Sequence, residues 1–304
     1  MSRFALTGIA GYVANRHLKA IKDTNNTLVA ALDPHDSVGL LDSWFPEAEY
    51  FRDHERFDRF LDKCSRSGEE QKINYLSVCS PNYLHDAHIR LAFHNGADAI
   101  CEKPLVLKPE NLIELEELEN QTGCRVWSIL QLRVHPSLIK LKAEIDRSVA
   151  SNTKHVVELN YITPRGRWYH YSWKGNDEKS GGITYNIGIH FFDLLHWLFG
   201  ARECLKLEVF NEKTCAGSLE LERAKVKWLL SIDPEMLPAY KNKTNSRKPH
   251  RSIRIDGEEI EFSDGFTDLH TRVYNQTLSG NGFGIQEARA AIETANEIRT
   301  LAAN

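Results

Sequence analysis

Over the first 130 residues, short apolar runs alternate with longer amphipathic stretches. The runs Phe4–Thr7, Thr27–Leu32, Ile73–Cys79, Ala97–Cys101 and Arg125–Leu130 have the length and near-continuous apolarity of strands buried on both faces. Between them, apolar positions recur at helical spacing over Val13–Lys22, Glu55–Arg66, Tyr83–Asn95 and Glu110–Thr122, the last bracketed by Pro109 and Gly123 as start and stop signals. This alternation predicts βαβ units and a doubly wound parallel sheet.

After a helical link over His135–Arg147 the pattern changes. The strand-like segments Lys154–Ile162, Leu205–Asn211, Gly217–Leu221 and Lys225–Ile232 predict a mostly antiparallel sheet, interrupted by a helix over Ile187–Leu198 and followed by one over Gln286–Leu301. The expected fold is α/β: a Rossmann-type domain over residues 1–130, then an α+β domain with an open sheet over residues 131–304, for substrate binding and oligomerisation. A chain of 304 residues has room for two cores. No window approaches the apolar length of a membrane helix, and the N-terminus reads as untargeted. A net charge of −4 excludes a domain-wide positive field for nucleic acid or anionic lipid. Six cysteines without a CxxC pair suit reduced thiols in a cytoplasm.

The first strand runs into Gly8-Ile9-Ala10-Gly11-Tyr12-Val13-Ala14, a glycine-rich turn of the kind that lets a pyrophosphate approach a helix N-terminus. The second strand ends in Asp33, placed to accept hydrogen bonds from ribose hydroxyls. The following Pro34-His35-Asp36 contains no Arg or Lys for a 2′-phosphate, which favours NAD over NADP. Ser80-Pro81-Asn82 with His85, and Glu102-Lys103-Pro104, fall at the carboxyl ends of predicted parallel strands, the ligand-binding edge of such a sheet. Asn186, His190 and Asp193 follow at helical spacing in the second half. Their spacing, and the lack of a Cys partner, argue against a metal site. Taken singly, each segment also reads as a tight turn or a core helix.

Together, the glycine turn, Ser80-Pro81-Asn82 with His85, Glu102-Lys103-Pro104 and Gly188-x-His190-x-x-Asp193 resemble the glucose–fructose oxidoreductase/inositol dehydrogenase (Gfo/Idh/MocA) family over essentially the whole chain. Leu130–Pro136, Arg165–Tyr169 with Ser172–Gly175, and Gly265–His270 are most similar to its branch acting on UDP-N-acetyl-glucosaminuronic acid in bacterial surface-polysaccharide (lipopolysaccharide O-antigen) synthesis. The resemblance implies an NAD-dependent 3-dehydrogenase, 2-oxoglutarate as a second, oxidising substrate, and a homotetramer. It implies a cofactor site lined by Gly8, Ala10, Gly11, Tyr12, Val13, Asp33, Ser80, Pro81, Asn82, His85, Glu102, Lys103, Gln131 and Trp168, and it sets Lys103 and His190 beside the reacting carbon. Asn186 departs from the Asp of many relatives.

Oxidising a secondary alcohol requires a base for the hydroxyl proton, and an imidazole titrates near neutrality; His190 is assigned that role and Lys103 the stabilisation of the alkoxide, with the reverse assignment left open. A nucleotide-sugar uronate needs cationic partners, for which Arg133, Arg165, Arg167 and Lys174 are candidates, beside Tyr169, Asn186 and Asp193. The basic loop 241–248 reads either as a diphosphate cover or as a solvated surface. Trp168, Tyr169 and Trp173 read either as stacking partners or as core. A dehydrogenase of a free polyol or aldose, and a non-catalytic NAD-binding regulator, are the competing functions.

Overall fold

The structure, a computed structural model, describes residues 1–147, 153–238, 249–260 and 268–303. It divides into two compact units: Met1–Gln131 with Thr267–Arg289, and Leu132–Phe266 with Ala290–Asn304. The sequence reading sets a single boundary near residue 130; in the structure the chain returns to the first unit for a late segment.

In the first unit, β1 (Arg3–Thr7), β2 (Thr27–Leu32), β3 (Glu49–Phe51), β4 (Tyr75–Val78), β5 (Asp98–Cys101) and β6 (Val126–Ser128) form a parallel sheet in the order β3-β2-β1-β4-β5-β6. Helices α1 (Ala14–Asp23), α2 (Leu40–Trp44), α3 (His54–Arg66), α4 (His85–His94) and α5 (Pro109–Thr122) make the crossovers. Pro109 starts α5 and Gly123, at φ +73°, stops it, as their residue types predict. Apolar residues such as Phe4, Leu6, Leu76 and Ile100 are fully buried, which is why these strands show no alternation in the sequence.

Register decides where the polar residues fall. Thr7 pairs with Leu32 and Val78, Val78 with Cys101, and Cys101 with Ser128, so the strands end level. Gly8, Asp33, Ser80 and Glu102 therefore all leave the same carboxyl edge. The chain order reverses on either side of β1, and such a switch point is where open α/β sheets bind ligands.

The second unit follows α6 (Pro136–Arg147). Strands β7 (His155–Ile162), β8 (Arg202–Phe210), β9 (Thr214–Leu221), β10 (Ala224–Ser231), β11 (His250–Ile255) and β12 (Glu258–Glu259) form a sheet in the order β12-β11-β7-β10-β9-β8. The β7–β10 pair is parallel and every other pairing antiparallel. Short helices α7 (Arg167–Tyr171) and α8 (Asp177–Ser180) precede α9 (Ile189–Phe199), which covers one face: Phe192 meets Trp228 edge to face, and Phe191 meets Tyr161. Gly188 permits that approach, since a Cβ there would stand 2.6 Å from Leu230 Cδ1. Val156, Val209 and Phe210 remain exposed on the strands. Helix α10 (Leu269–Leu278) packs on α1 in the first unit, and α11 (Ile285–Ala303) follows it. No described helix is long and apolar enough to cross a membrane, and all six cysteines are unpaired.

Candidate active site

At the β1 edge Gly8 takes φ +83°, and a Cβ added to it would lie 2.5 Å from the Cys79 carbonyl oxygen, so only glycine lets the β1 and β4 loops come this close. The turn is tied down by Gly8 N–H to Leu32 O (2.8 Å) and Gly11 N–H to Gly8 O (3.0 Å), and it delivers the chain into the N-terminus of α1 with Tyr12 exposed. Asp33 accepts from the Ala10 N–H at 3.0 Å and the His35 N–H at 2.9 Å, which fixes its carboxylate against the glycine turn. Tyr50 holds the following loop by donating to the Asp33 or His35 carbonyl, at 2.9 and 2.7 Å. A bare backbone cradle at a helix start, with a fixed acid on the neighbouring strand, fits a dinucleotide with free ribose hydroxyls.

The β4 and β5 edges are locked to each other. Ser80 Oγ bonds His88 Nδ1 at 2.9 Å, and His85 is fully buried with Nδ1 2.6 Å from Pro104 O and Nε2 2.9 Å from Ser80 O. Burial lowers the His85 pKa, against the pull of both carbonyls. His85 thus ties two loops together, with both ring nitrogens occupied by protein. Asn82 is buried beside it. Glu102 is buried as well: one oxygen faces His17 and His270, and the other accepts from the Lys103 N–H at 3.2 Å. His17, Glu102 and His270, with Tyr274, form a cluster that the sequence reading missed, because its members lie far apart in the chain and meet only through the fold.

In the second unit a π-helical turn over Thr184–Gly188 leads into α9, and such turns concentrate at functional sites. It carries Asn186, whose side-chain N–H donates to the Tyr169 hydroxyl at 2.8 Å, and delivers the partly exposed His190 at the start of α9. Asp193 is 2% exposed and takes the Arg133 guanidinium on both oxygens, with Nη2 to Oδ1 at 2.7 Å and Nε to Oδ2 at 3.2 Å. The expected substrate cation Arg133 and the expected polar contact Asp193 therefore engage each other.

Arg165 and Lys174 differ. Neither has an acidic partner among the described residues, and Arg165 Nε is buried without a hydrogen bond. Arg165 lies over the Tyr169 ring at 5.7 Å, and Lys174 over the Trp168 and Trp173 rings at 5.6 Å each. Burial, and then the Arg165 charge, lower the Lys174 pKa. Trp168 is 55% exposed, with Arg167 beside it at the start of α7. The loop 241–248 lies outside the described residues.

A parallel sheet with a glycine turn, a fixed acid on the second strand and a Glu-Lys-Pro edge defines a nicotinamide-dependent oxidoreductase. The chain belongs to the Gfo/Idh/MocA oxidoreductase family: its NAD-binding Rossmann-fold pattern matches residues 2–130 and its C-terminal alpha/beta domain pattern residues 155–232. The chain is similar to the WlbA (WbpB) dehydrogenase from Thermus thermophilus. In complex with NAD and alpha-ketoglutarate, that protein is 53% identical over 99% of this chain and 96% of its own, with a TM-score of 0.93. In complex with NAD and UDP-GlcNAcA, the figures are 52%, 98%, 95% and 0.93. An uncharacterized oxidoreductase of Synechocystis is 27% identical over 139 residues, 44% of this chain, and the match spans 36% of the relative's length.

Proposed function

We propose that the chain oxidises the 3-hydroxyl of UDP-N-acetyl-glucosaminuronic acid (UDP-GlcNAcA) to the 3-keto sugar with NAD as acceptor, and that 2-oxoglutarate restores the NAD. The observation that carries this reading is the Arg165–Lys174 pair: two neighbouring cations, partly withdrawn from water, without an acidic partner among the described residues. Such charge is costly unless an anion meets it. A sugar bearing a carboxylate and a diphosphate supplies that anion, and a neutral polyol does not. The whole-length likeness to the Thermus dehydrogenase, solved with both small molecules, supports the same choice.

NAD, when bound, accepts the hydride from the sugar carbon. Gly8, Ala10, Gly11, Tyr12 and Val13 hold its pyrophosphate and Asp33 a ribose. Ser80, Pro81, Asn82, Gln131 and Trp168 line its course, while His85 and Glu102 act from behind that surface. His190 takes the hydroxyl proton and Lys103 donates a hydrogen bond to the alkoxide that forms. Arg165, Arg167 and Lys174 face the substrate's charge, Tyr169 and Asn186 orient the sugar, and the Arg133–Asp193 pair stiffens α9 beneath it. The chain works in the cytoplasm, in making an amino-sugar uronate for lipopolysaccharide O-antigen, as a homotetramer joined through the exposed sheet residues Val156, Val209 and Phe210.

The test is incubation with NAD, UDP-GlcNAcA and 2-oxoglutarate, followed by mass spectrometry of the sugar. The expected product is lighter by two hydrogens and forms over many turnovers; an unchanged sugar would overturn the reading.

A further inference from the structure

Glu102 is met inside the first unit by side chains from distant parts of the chain to which the proposed reaction gives no task. His17 on α1 and His270 on α10 each bring Nε2 to Glu102 Oε1, at 3.1 and 2.8 Å, with their rings edge to face 5.0 Å apart. Tyr274, one turn along α10, sets its hydroxyl 2.7 Å from His17 Nδ1 and 2.7 Å from Ser77 Oγ on β4. All five residues are buried.

Hydrogen accounting fixes how the cluster is wired. Burial alone would raise the Glu102 carboxyl, but the hydrogen bonds from the two histidines lead the effects that outweigh it and hold Glu102 well below the usual carboxylate range. An ionised carboxylate only accepts, so each histidine presents an Nε2–H. His17 then has a lone pair on Nδ1, which takes the Tyr274 O–H, and the Tyr274 oxygen accepts from Ser77. The donors run in one direction, from Ser77 to Glu102, with one tautomer for His17. The same three ligand atoms lie within 4.8 Å of one another, as for a divalent ion, yet the separations are ordinary N–H···O lengths and every proton in the chain has an acceptor.

The second Glu102 oxygen accepts the Lys103 N–H. We propose that His17, His270 and Tyr274 are positioning residues for Lys103: they clamp Glu102 in one orientation, and Glu102 fixes the Lys103 main chain at the carboxyl edge of β5. The proposal rests on the alkoxide-stabilising role given to Lys103 above. The clamp joins the helix that follows the glycine turn, the Lys103 strand end and a helix from far along the chain.

The test uses the full-length, NAD-loaded protein with selectively ¹⁵N-labelled lysine. His270→Leu removes one donor to the charged Glu102 and is expected to lower kcat by ~10–100-fold while the KM values for NAD and UDP-GlcNAcA stay within about threefold. His270→Gln keeps an N–H at similar reach and is expected to return kcat to within about threefold of the parent, and Tyr274→Phe to lose about threefold. In His270→Leu the Lys103 amide is expected to exchange with solvent about tenfold faster. A folded His270→Leu with parental kcat and parental Lys103 exchange would overturn the proposal. So would a loss carried wholly by the KM for NAD, or one bound divalent metal per chain whose removal lowers kcat. Should His270→Leu not fold, unaltered Lys103 exchange in Tyr274→Phe overturns it, and faster exchange supports it. Lys103 exchange needs no sugar, so a parent inactive on UDP-GlcNAcA fails the substrate reading alone.

Discussion

The charged groups of the candidate site are met differently in the two units. In the first, Glu102 is enclosed by His17, His270 and the Lys103 N–H, and Asp33 by two main-chain N–H groups, so the polar atoms are met from within the chain. In the second, Arg133 and Asp193 satisfy each other, but Arg165 and Lys174 are left with aromatic faces and no acid among the described residues. A satisfied cluster sets geometry, whereas an unsatisfied one awaits a ligand. On the function proposed above, the first unit positions the cofactor and the cations of the second recognise the substrate's charge.

The largest expected effect is on the chemistry. His190→Asn should reduce turnover by ~10²–10⁴-fold with NAD affinity unchanged, since it removes a base and leaves the first unit intact; unchanged steady-state turnover would take His190 out of the mechanism. Next comes the backbone cradle. Gly8→Ala combines a left-handed φ with a Cβ 2.5 Å from a carbonyl, and should cost about 2–4 kcal/mol in a denaturant titration together with much of the NAD affinity. A variant as stable as the parent would show that the turn has slack. Smaller again, Asp33→Ala should weaken NAD about tenfold and NADP much less, as measured by fluorescence titration; equal losses would remove the ribose assignment.

The smallest effect is on acid stability. Burial, first of all, lowers the His88 pKa to about 3 and the His196 pKa to about 4. The folded protein keeps these rings neutral where the unfolded chain protonates them, near 6.5, so it binds fewer protons and its stability falls as pH drops below about 6.5. Between pH 7 and 6 each histidine should remove about 1 kcal/mol or less, seen as a lower melting temperature, and His88→Gln should flatten the slope. A melting temperature that rises on acidification would contradict the sign.

Much of the first unit was legible because its strands are apolar throughout and its turns carry diagnostic residues, as at Gly8, Pro109 and Gly123. Strand β3 was not: Glu49–Phe51 has three residues and none fully buried, so no pattern develops. Helix α10 was missed for a different reason. Its buried face includes His270, Tyr274 and Thr277, polar residues that only their partners make compatible with burial, and the hydrophobic period vanishes. Strand β11, His250–Ile255, is similarly masked by its arginines. The glycine turn and Asp33 were readable from local spacing, but the Arg133–Asp193 pair spans 60 residues and the Glu102–His270 bond 168, and no local signal reports such pairings. Sequence reasoning therefore treated Arg133 as a free cation, and the fold supplied its partner.

The contrast between the units is tested most directly by titration calorimetry of the NAD-loaded protein with UDP-GlcNAcA and, separately, with myo-inositol, in the parent and in Arg165→Ala. The account predicts that the parent binds UDP-GlcNAcA and not myo-inositol, and that Arg165→Ala weakens UDP-GlcNAcA by ~10–100-fold, the loss of one charge-assisted contact, with NAD binding untouched. Comparable binding of myo-inositol, with UDP-GlcNAcA affinity unaltered by Arg165→Ala, would contradict it.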